Sequence, residues 1–284
     1  MSRTPLFDRL VDDAAVFPPG LAPLDVAVRE HLDRRTQPYA GHIGTLLVPA
    51  TDAAALARLA STDQRTVAQP LEVGLVVRPG SPVHPLVEAT GLLRDDARVI
   101  VTAVELGWSP DWRSVLALDV PVVVEVAGGA DQQAALDDIA AAVDDDADVI
   151  AKFRTGATPS RPWPDEQALG GFLDAVILHG LSFKLTGGLH HAVRGRYSAE
   201  QQHGLLNVVI ATHEALAGAE GPELAHVLGQ TSAELLAERV SRLTAVDAAR
   251  VRASFTAYGC CGVLDPLVEL AALGLIAEHP HLDR

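Results

Sequence analysis

The chain has 284 residues, 48% of them hydrophobic and only 4% aromatic, enough for a large core built mainly from small aliphatic side chains. Its formal net charge of −15 argues against nucleic acid and anionic membrane surfaces as partners. Cys260 and Cys261 are adjacent, which excludes a disulfide framework and suits a reducing cytoplasm. The opening residues carry no signal-like apolar run, and no stretch approaches the ~20 apolar residues that span a bilayer.

The first apolar run, near 13–17, reads as a short strand stopped by Pro18 and Pro19, with Asp12 and Asp13 just before it. Residues 24–35 repeat apolar positions at helical spacing. From residue 43 a rhythm begins. Strand runs at 43–49, 71–77, 98–106, 120–126, 148–154 and 181–186 alternate with helical patterns at 51–60, 84–94, 110–118, 131–143 and 165–179. Residues 198–216 read as one long helix, followed by helices at 222–229, 231–240 and 244–252. A last strand at 254–259 and a closing helix at 264–276 complete the pattern.

Continuous Val/Ile/Leu strands alternating with helices mean a parallel sheet covered on both faces. Eight such strands close a (β/α)8 TIM barrel, here with extra helices between strands 7 and 8 and a single domain over 1–284. No repeat or linker divides the chain, and 160–164 (Ser-Arg-Pro-Trp-Pro) reads as a loop over one mouth of the barrel.

Barrels carry reactive groups at the C-terminal ends of their strands. The polar residues there are Glu105, Glu125, Lys152, Arg154, Lys184 and Tyr258 with the two cysteines. Strand alternation sends Lys152 and Lys184 into the barrel, with Phe153 and Phe183 facing the helices and Arg154 at the rim. Adjacent strands lie ~4.8 Å apart, so the two ammonium groups approach each other. Burial and mutual repulsion then lower at least one pKa, and a neutral lysine is a nucleophile toward carbonyl carbon. The competing outcome is a network in which both lysines pair with Glu105 or Glu125.

These motifs resemble a known family. Lys152-Phe-Arg-Thr-Gly156 is similar to the K-T-S-T-G pattern of deoxyribose-phosphate aldolases, and Lys184-Leu-Thr-Gly-Gly188 to their K-x-x-G-G pattern, in the same strand order. Leu10-Val-Asp-Asp is similar to the family's L-I-D-H-T segment, and Tyr258-Gly-Cys-Cys faintly to its terminal phosphate loop. The resemblance implies a class I, cofactor-free aldolase. Lys152 would form the Schiff base, Lys184 would tune it, and Glu105 would relay protons. Gly187 and Gly188 would offer N–H groups to a phosphate or carboxylate. The chain departs from the family at His190-His191 and at the cysteines that replace its terminal serines. The strings Phe17-Pro-Pro, Gly188-Leu-His-His and His203-Gly-Leu-Leu-Asn207 are also similar to those of a group of bacterial barrels.

Arg154, His190, His191, Glu125 and Asp13 complete the expected substrate-binding set, around a small polar or anionic carbonyl compound. The rival reading is a metal-dependent hydrolase or isomerase with His190, His191 and His203 as ligands. A third is a non-catalytic ligand-binding barrel. The partner expected is a small molecule, with neither nucleic acid nor membrane, and homo-oligomerisation is left open. Arg194, Asn207, Trp108, Trp112 and Trp163 are lesser candidates, for which salt bridging and packing are the plainer roles.

Overall fold

The computed structural model describes residues 5–158 and 161–277. Ser160 of the expected mouth loop and the first four residues lie outside the described residues. The strands are β1 (Val11–Asp13), β2 (Ile43–Pro49), β3 (Leu71–Val76), β4 (Val99–Gly107), β5 (Val122–Val126), β6 (Val149–Arg154) and β7 (Phe183–Thr186), a hairpin β8 (Gly195–Tyr197) and β9 (Glu200–Gln202), and β10 (Phe255–Cys260). Eight of them close a parallel barrel in the order β1-β10-β7-β6-β5-β4-β3-β2, so the chain is a (β/α)8 TIM barrel.

The helices between strands are α1 (Leu24–Arg34), α2 (Ala53–Thr62), α3 (Arg65–Ala68), α4 (His84–Leu93), α5 (Gln132–Asp144) and α6 (Glu166–Leu178). The expected helix near 110–118 forms as a 3-10 helix over Trp112–Leu118. Between β9 and β10 come α7 (Leu205–Leu216), α8 (Gly221–Leu228), α9 (Ala233–Ser241) and α10 (Ala245–Ser254), and α11 (Leu264–Ala272) follows β10. The closing helix is shorter than expected because Gly274, at φ +69°, turns the chain out of it. Among the described residues no helix is long and apolar enough to cross a membrane.

The outer faces of the strands make the main core. Phe153 stacks on Phe172 of α6 (4.7 Å between centroids), Phe172 meets Phe183 edge-on (5.9 Å), and Phe183 stacks on Phe255 (5.2 Å). This aromatic row fixes which face of β6 and β7 looks outward, and so sends both lysines inward. Gly170 lets α6 touch α8 backbone to backbone, since a Cβ there would lie 3.1 Å from the Gly221 carbonyl oxygen.

Two expectations from the sequence are corrected. The first strand is Val11–Asp13, not 13–17, because after the Ala14 amide makes a last bond to the Cys260 carbonyl (2.9 Å) the chain turns, Phe17 N–H donating to the Ala14 carbonyl (2.9 Å). Asp12 and Asp13 are therefore strand residues with opposite orientations. The long helix expected over 198–216 is the hairpin followed by α7, because Ser198 adopts φ 57° at the hairpin tip and His191 bridges to Gly204. Asn207, in the first turn of α7, accepts from the Arg194 amide (2.8 Å) and donates to the carbonyls of Val227 (3.0 Å) and Gln230 (2.7 Å). It pins the helical insertion to the barrel. Trp108 and Trp112 both donate indole N–H bonds to Asp138 on α5 (2.9 and 2.6 Å), which anchors the connection after β4.

Candidate functional site

Adjacent parallel strands set side chains in rows. Glu125 of β5 lies opposite Lys152 of β6, and Lys152 opposite Lys184 of β7. Asp12 enters from β1 and Glu105 from β4. Lys152 and Lys184 are 2% and 5% exposed, so neither ammonium is solvated in the ordinary way. Partners take the place of water.

Lys184 Nζ lies 2.5 Å from Asp12 Oδ2 and 2.5 Å from Glu105 Oε1. Lys152 Nζ lies 3.0 Å from Glu105 Oε2 and 3.1 Å from Glu125 Oε2. Arg154 Nε lies 3.0 Å from Glu125 Oε1. Signs therefore alternate along one row, Asp12–Lys184–Glu105–Lys152–Glu125–Arg154, three carboxylates and three cations with no net charge. Arg154 ends the row at the rim, its side chain 35% exposed.

The pairing sets the protonation. Burial alone raises the Glu105 pKa, but the ammonium groups of Lys152 and Lys184 and their hydrogen bonds bring it down to about 2. Burial pulls the Lys184 pKa down, but Asp12 and Glu105 overcome it and raise it above the ordinary value. Glu125 is held below its ordinary value, burial opposing and Lys152 and Arg154 lowering it. Mutual repulsion was expected to depress a lysine; for Lys184 the interposed Glu105 reverses the sign.

Small residues make room for this row. Asp12 also accepts from the Thr45 amide (2.8 Å), and its Oδ1 lies only 2.1 Å from where a Gly44 Cβ would stand. A Cβ on Gly74 would meet Leu47 at 2.7 Å. A cavity of about 280 Å³ adjoins the inner end of the row, lined by Asp12, Glu105 and Lys184 and by Arg9, Pro121 and Asp148. The last three precede their strands, so this cavity extends toward the N-terminal face. Thr45, Ala103 and Ile150 are half-buried there, so solvent reaches the barrel interior from that side.

Asp13 does not join the row. It faces α1, where Arg34 Nη1 (2.8 Å) and His31 Nδ1 (3.1 Å) hold it, because strand alternation turns it away from Asp12. Gly187, at φ +76°, is packed by the Arg154 side chain, and a Cβ on Gly188 would lie 2.7 Å from Thr155 Oγ1. The two glycines serve a close approach of the loops after β6 and β7.

The three histidines separate. His190 Nδ1 bonds Asp265 (2.8 Å). His191 bonds Glu269 (2.7 Å) and stacks on Tyr197. His203 sits under Arg194, which also pairs with Glu166. The ligand set of the rival metal reading is thus not assembled, and no group of three metal-ligating residues among the described residues is placed to hold an ion. Asp12, Asp265 and Glu269 were missed as partners. For Asp12 the signal was present: starting the strand two residues earlier brings it into the barrel wall, on the face opposite to Asp13.

His203 is a test of the packing. Its Nδ1 accepts from Arg194 Nη1 (3.2 Å), so its proton sits on Nε2 and is donated to the Pro164 carbonyl (2.8 Å). Burial, opposed by that carbonyl and aided by the Arg194 cation, lowers its pKa to about 4. The unfolded chain takes up the proton below pH ~6.5 and the folded chain does not, so stability falls as the pH drops from 6.5 toward 4, by about 3 kcal/mol. Urea unfolding of His203→Gln at pH 7 and pH 4.5 is expected to show a smaller loss than the parent. An equal loss in both proteins would refute the neutral, buried histidine.

Fold and site together define a TIM barrel with a neutral row of lysines, arginine and carboxylates across its interior. Compared with known proteins, the sequence matches no protein-family model and no curated protein.

Proposed function

We propose that this barrel is a cofactor-free Schiff-base lyase of the aldolase type, acting through Lys152 on a small polar or anionic carbonyl compound. The observation that carries the reading is the position of Lys152, between two carboxylates that are each shared with another cation. Barrels of this kind commonly bear enzymes, with chemistry at the C-terminal strand ends, where Lys152 meets Glu125 and Arg154.

Each part has a role. An anionic substrate group takes the Arg154 guanidinium by paired hydrogen bonds. Glu125 then loses one of the two cations that hold its pKa down, and its basicity rises. The proton of Lys152 moves to Glu125, and the freed amine attacks the carbonyl carbon. Protonated Glu125 returns the proton to the carbinolamine hydroxyl, which leaves as water and gives the iminium. The iminium takes up the electron pair when the adjacent C–C bond breaks. Lys184 stays an ammonium, kept so by Asp12 and Glu105, and holds Glu105 in place beside Lys152.

Borohydride trapping tests this. The protein is incubated with a panel that includes glycolaldehyde, pyruvate and dihydroxyacetone, reduced, and mapped by mass spectrometry. A reduced adduct on Lys152 that disappears in Lys152→Met is expected. No adduct with any member, or an adduct on Lys184 alone, would sink the assignment.

One observation favours a second reading, a non-catalytic ligand-binding barrel. Both ammonium groups are fully engaged by carboxylates, and the cavity beside them extends to the N-terminal face. On that reading every member of the panel leaves both lysines unmodified.

A further inference from the structure

The loop after β7 and the turn after β10 build a second cluster that the lysine chemistry does not use. Cys261 Sγ lies 3.4 Å from His190 Nε2, and His190 Nδ1 lies 2.8 Å from Asp265 Oδ2. Sulfur, imidazole and carboxylate thus stand in line, each ring nitrogen engaged by one of them. Nucleophile, proton carrier and orienting acid in this order are what activates a weak nucleophile. The cluster stands on four residues from two chain segments, and it reaches solvent: the His190 side chain is 22% and that of Asp265 55% exposed.

The two cysteines differ in kind. Cys260 is buried, its thiol donates to the Gly262 carbonyl (3.3 Å), and burial pushes its pKa up, the neighbouring His190 opposing. It also touches His190 Nδ1 at 3.6 Å, on the ring edge already taken by Asp265. Cys261 is half-buried and meets the opposite nitrogen. The Asp265 hydrogen bond first, and the two sulfurs after it, raise the His190 pKa to about 12, so the ring carries both protons at neutral pH. Just beyond Cys261 α11 opens, but the Asp265 amide already donates to the Gly262 carbonyl (3.0 Å) and Pro266 has no N–H, so His190 is the proton source beside the sulfur.

We propose that Cys261 is a nucleophile toward small carbonyl compounds, with His190 as its proton partner and Asp265 as a positioning residue. The class follows from what surrounds the sulfur. A carbonyl carbon needs an attacking thiolate and a proton donor for the oxygen on which charge develops, and the imidazolium 3.4 Å from the sulfur supplies both the pairing charge and the proton. The Cys261 thiol gives its proton to solvent, and the thiolate, paired with the His190 imidazolium, attacks the carbonyl carbon so that a C–S bond forms. The C=O π pair moves to oxygen, which takes the Nε2 proton of His190, and the product is a hemithioacetal. His190 then takes a proton back from solvent in place of the one the thiol released, so atoms and charge balance with water alone as carrier. The proposal stands on this cluster alone and is independent of Lys152.

Two measurements on the full chain test it. First, iodoacetamide labelling at pH 7.0, mapped by mass spectrometry, is expected at Cys261 and not at Cys260. His190→Gln should slow it at least tenfold. Asp265→Asn should slow it only above about pH 6.5, where an imidazole without its carboxylate loses its proton. Equal rates in the parent and His190→Gln overturn the pairing. Second, in Lys152→Met, which cannot form the proposed Schiff base, glycolaldehyde should protect Cys261 from labelling, and the protection should vanish in the double variant with His190→Gln. Absence of protection overturns the carbonyl class.

Discussion

Glu105→Ala is expected to lower the unfolding free energy by about 3–5 kcal/mol, the range for removing one partner from a buried charge pair. Glu105 is the only member of the row that touches both lysines, one on each carboxylate oxygen. Without it Lys152 and Lys184 each keep one carboxylate, but they face each other across a low-dielectric gap with nothing between. The pH dependence follows with its sign. The Glu105 pKa is depressed, so its stabilising effect is complete above the ordinary glutamate value of 4.5 and disappears as the pH falls through about 2. The acid limb of the parent's stability curve should therefore flatten in Glu105→Ala. Lys184→Met in the same chain should recover part of the loss, because it removes the repulsion that Glu105 had masked. Arg242→Ala, which breaks an exposed i,i+4 pair with Glu238, is the control and should change stability by about 0–1 kcal/mol. Guanidinium unfolding of the three variants and the parent decides it. A Glu105→Ala loss no larger than that of Arg242→Ala would show that the row contributes little to stability.

Gly156→Ala is the second large effect. A Cβ at Gly156 would stand 1.5 Å from the Gly187 carbonyl oxygen and 2.6 Å from its carbon. Both are backbone atoms, so no side chain can swing aside. The loops after β6 and β7 are also tied by the Thr155 amide and hydroxyl, which donate to the Thr186 carbonyl at 2.8 and 3.2 Å. One loop must lift, and the C-terminal ends of the two lysine strands part with it. The cost should reach or exceed the ~3 kcal/mol at the top of the usual overpacking range. Gly171→Ala makes the contrast. It lies within α6, an added Cβ there meets nothing within 4 Å, and alanine should be neutral or stabilising by up to ~1 kcal/mol. Thermal unfolding compares the two. A Gly156→Ala protein as stable as Gly171→Ala would mean that the loops do not approach as described.

Much of this architecture is legible in the residues alone, for a physical reason. Strands buried on both faces must be continuous Val/Ile/Leu runs, and runs such as 43–49 and 120–126 announce themselves. The alternation of Lys152 with Phe153, and of Phe183 with Lys184, is also local information, and the aromatic row confirms it. Misread segments lacked such a signal. Strand β1 has only three residues, two of them aspartates, and its pairing is set by β2 and β10 rather than by its own pattern. The β8–β9 hairpin carries Arg196, Glu200 and Gln201, which look equally at home on an exposed helix. The identity of charge partners is the least local property. Asp12 and Lys184 are 172 positions apart and meet only because the barrel closes.

The cavity at the N-terminal face leaves the row with two unlike ends. Water reaches Asp12, Lys184 and Glu105 from below, whereas Arg154 and Glu125 look out at the rim above. Between them the side chains of the row fill the passage. Water and the substrate of the proposed lyase would then meet opposite ends of the row. On the proposed reading, an iminium formed on Lys152 would be shielded from that water by Lys184 and Glu105, which keep their charged forms, while Glu125 carries the proton.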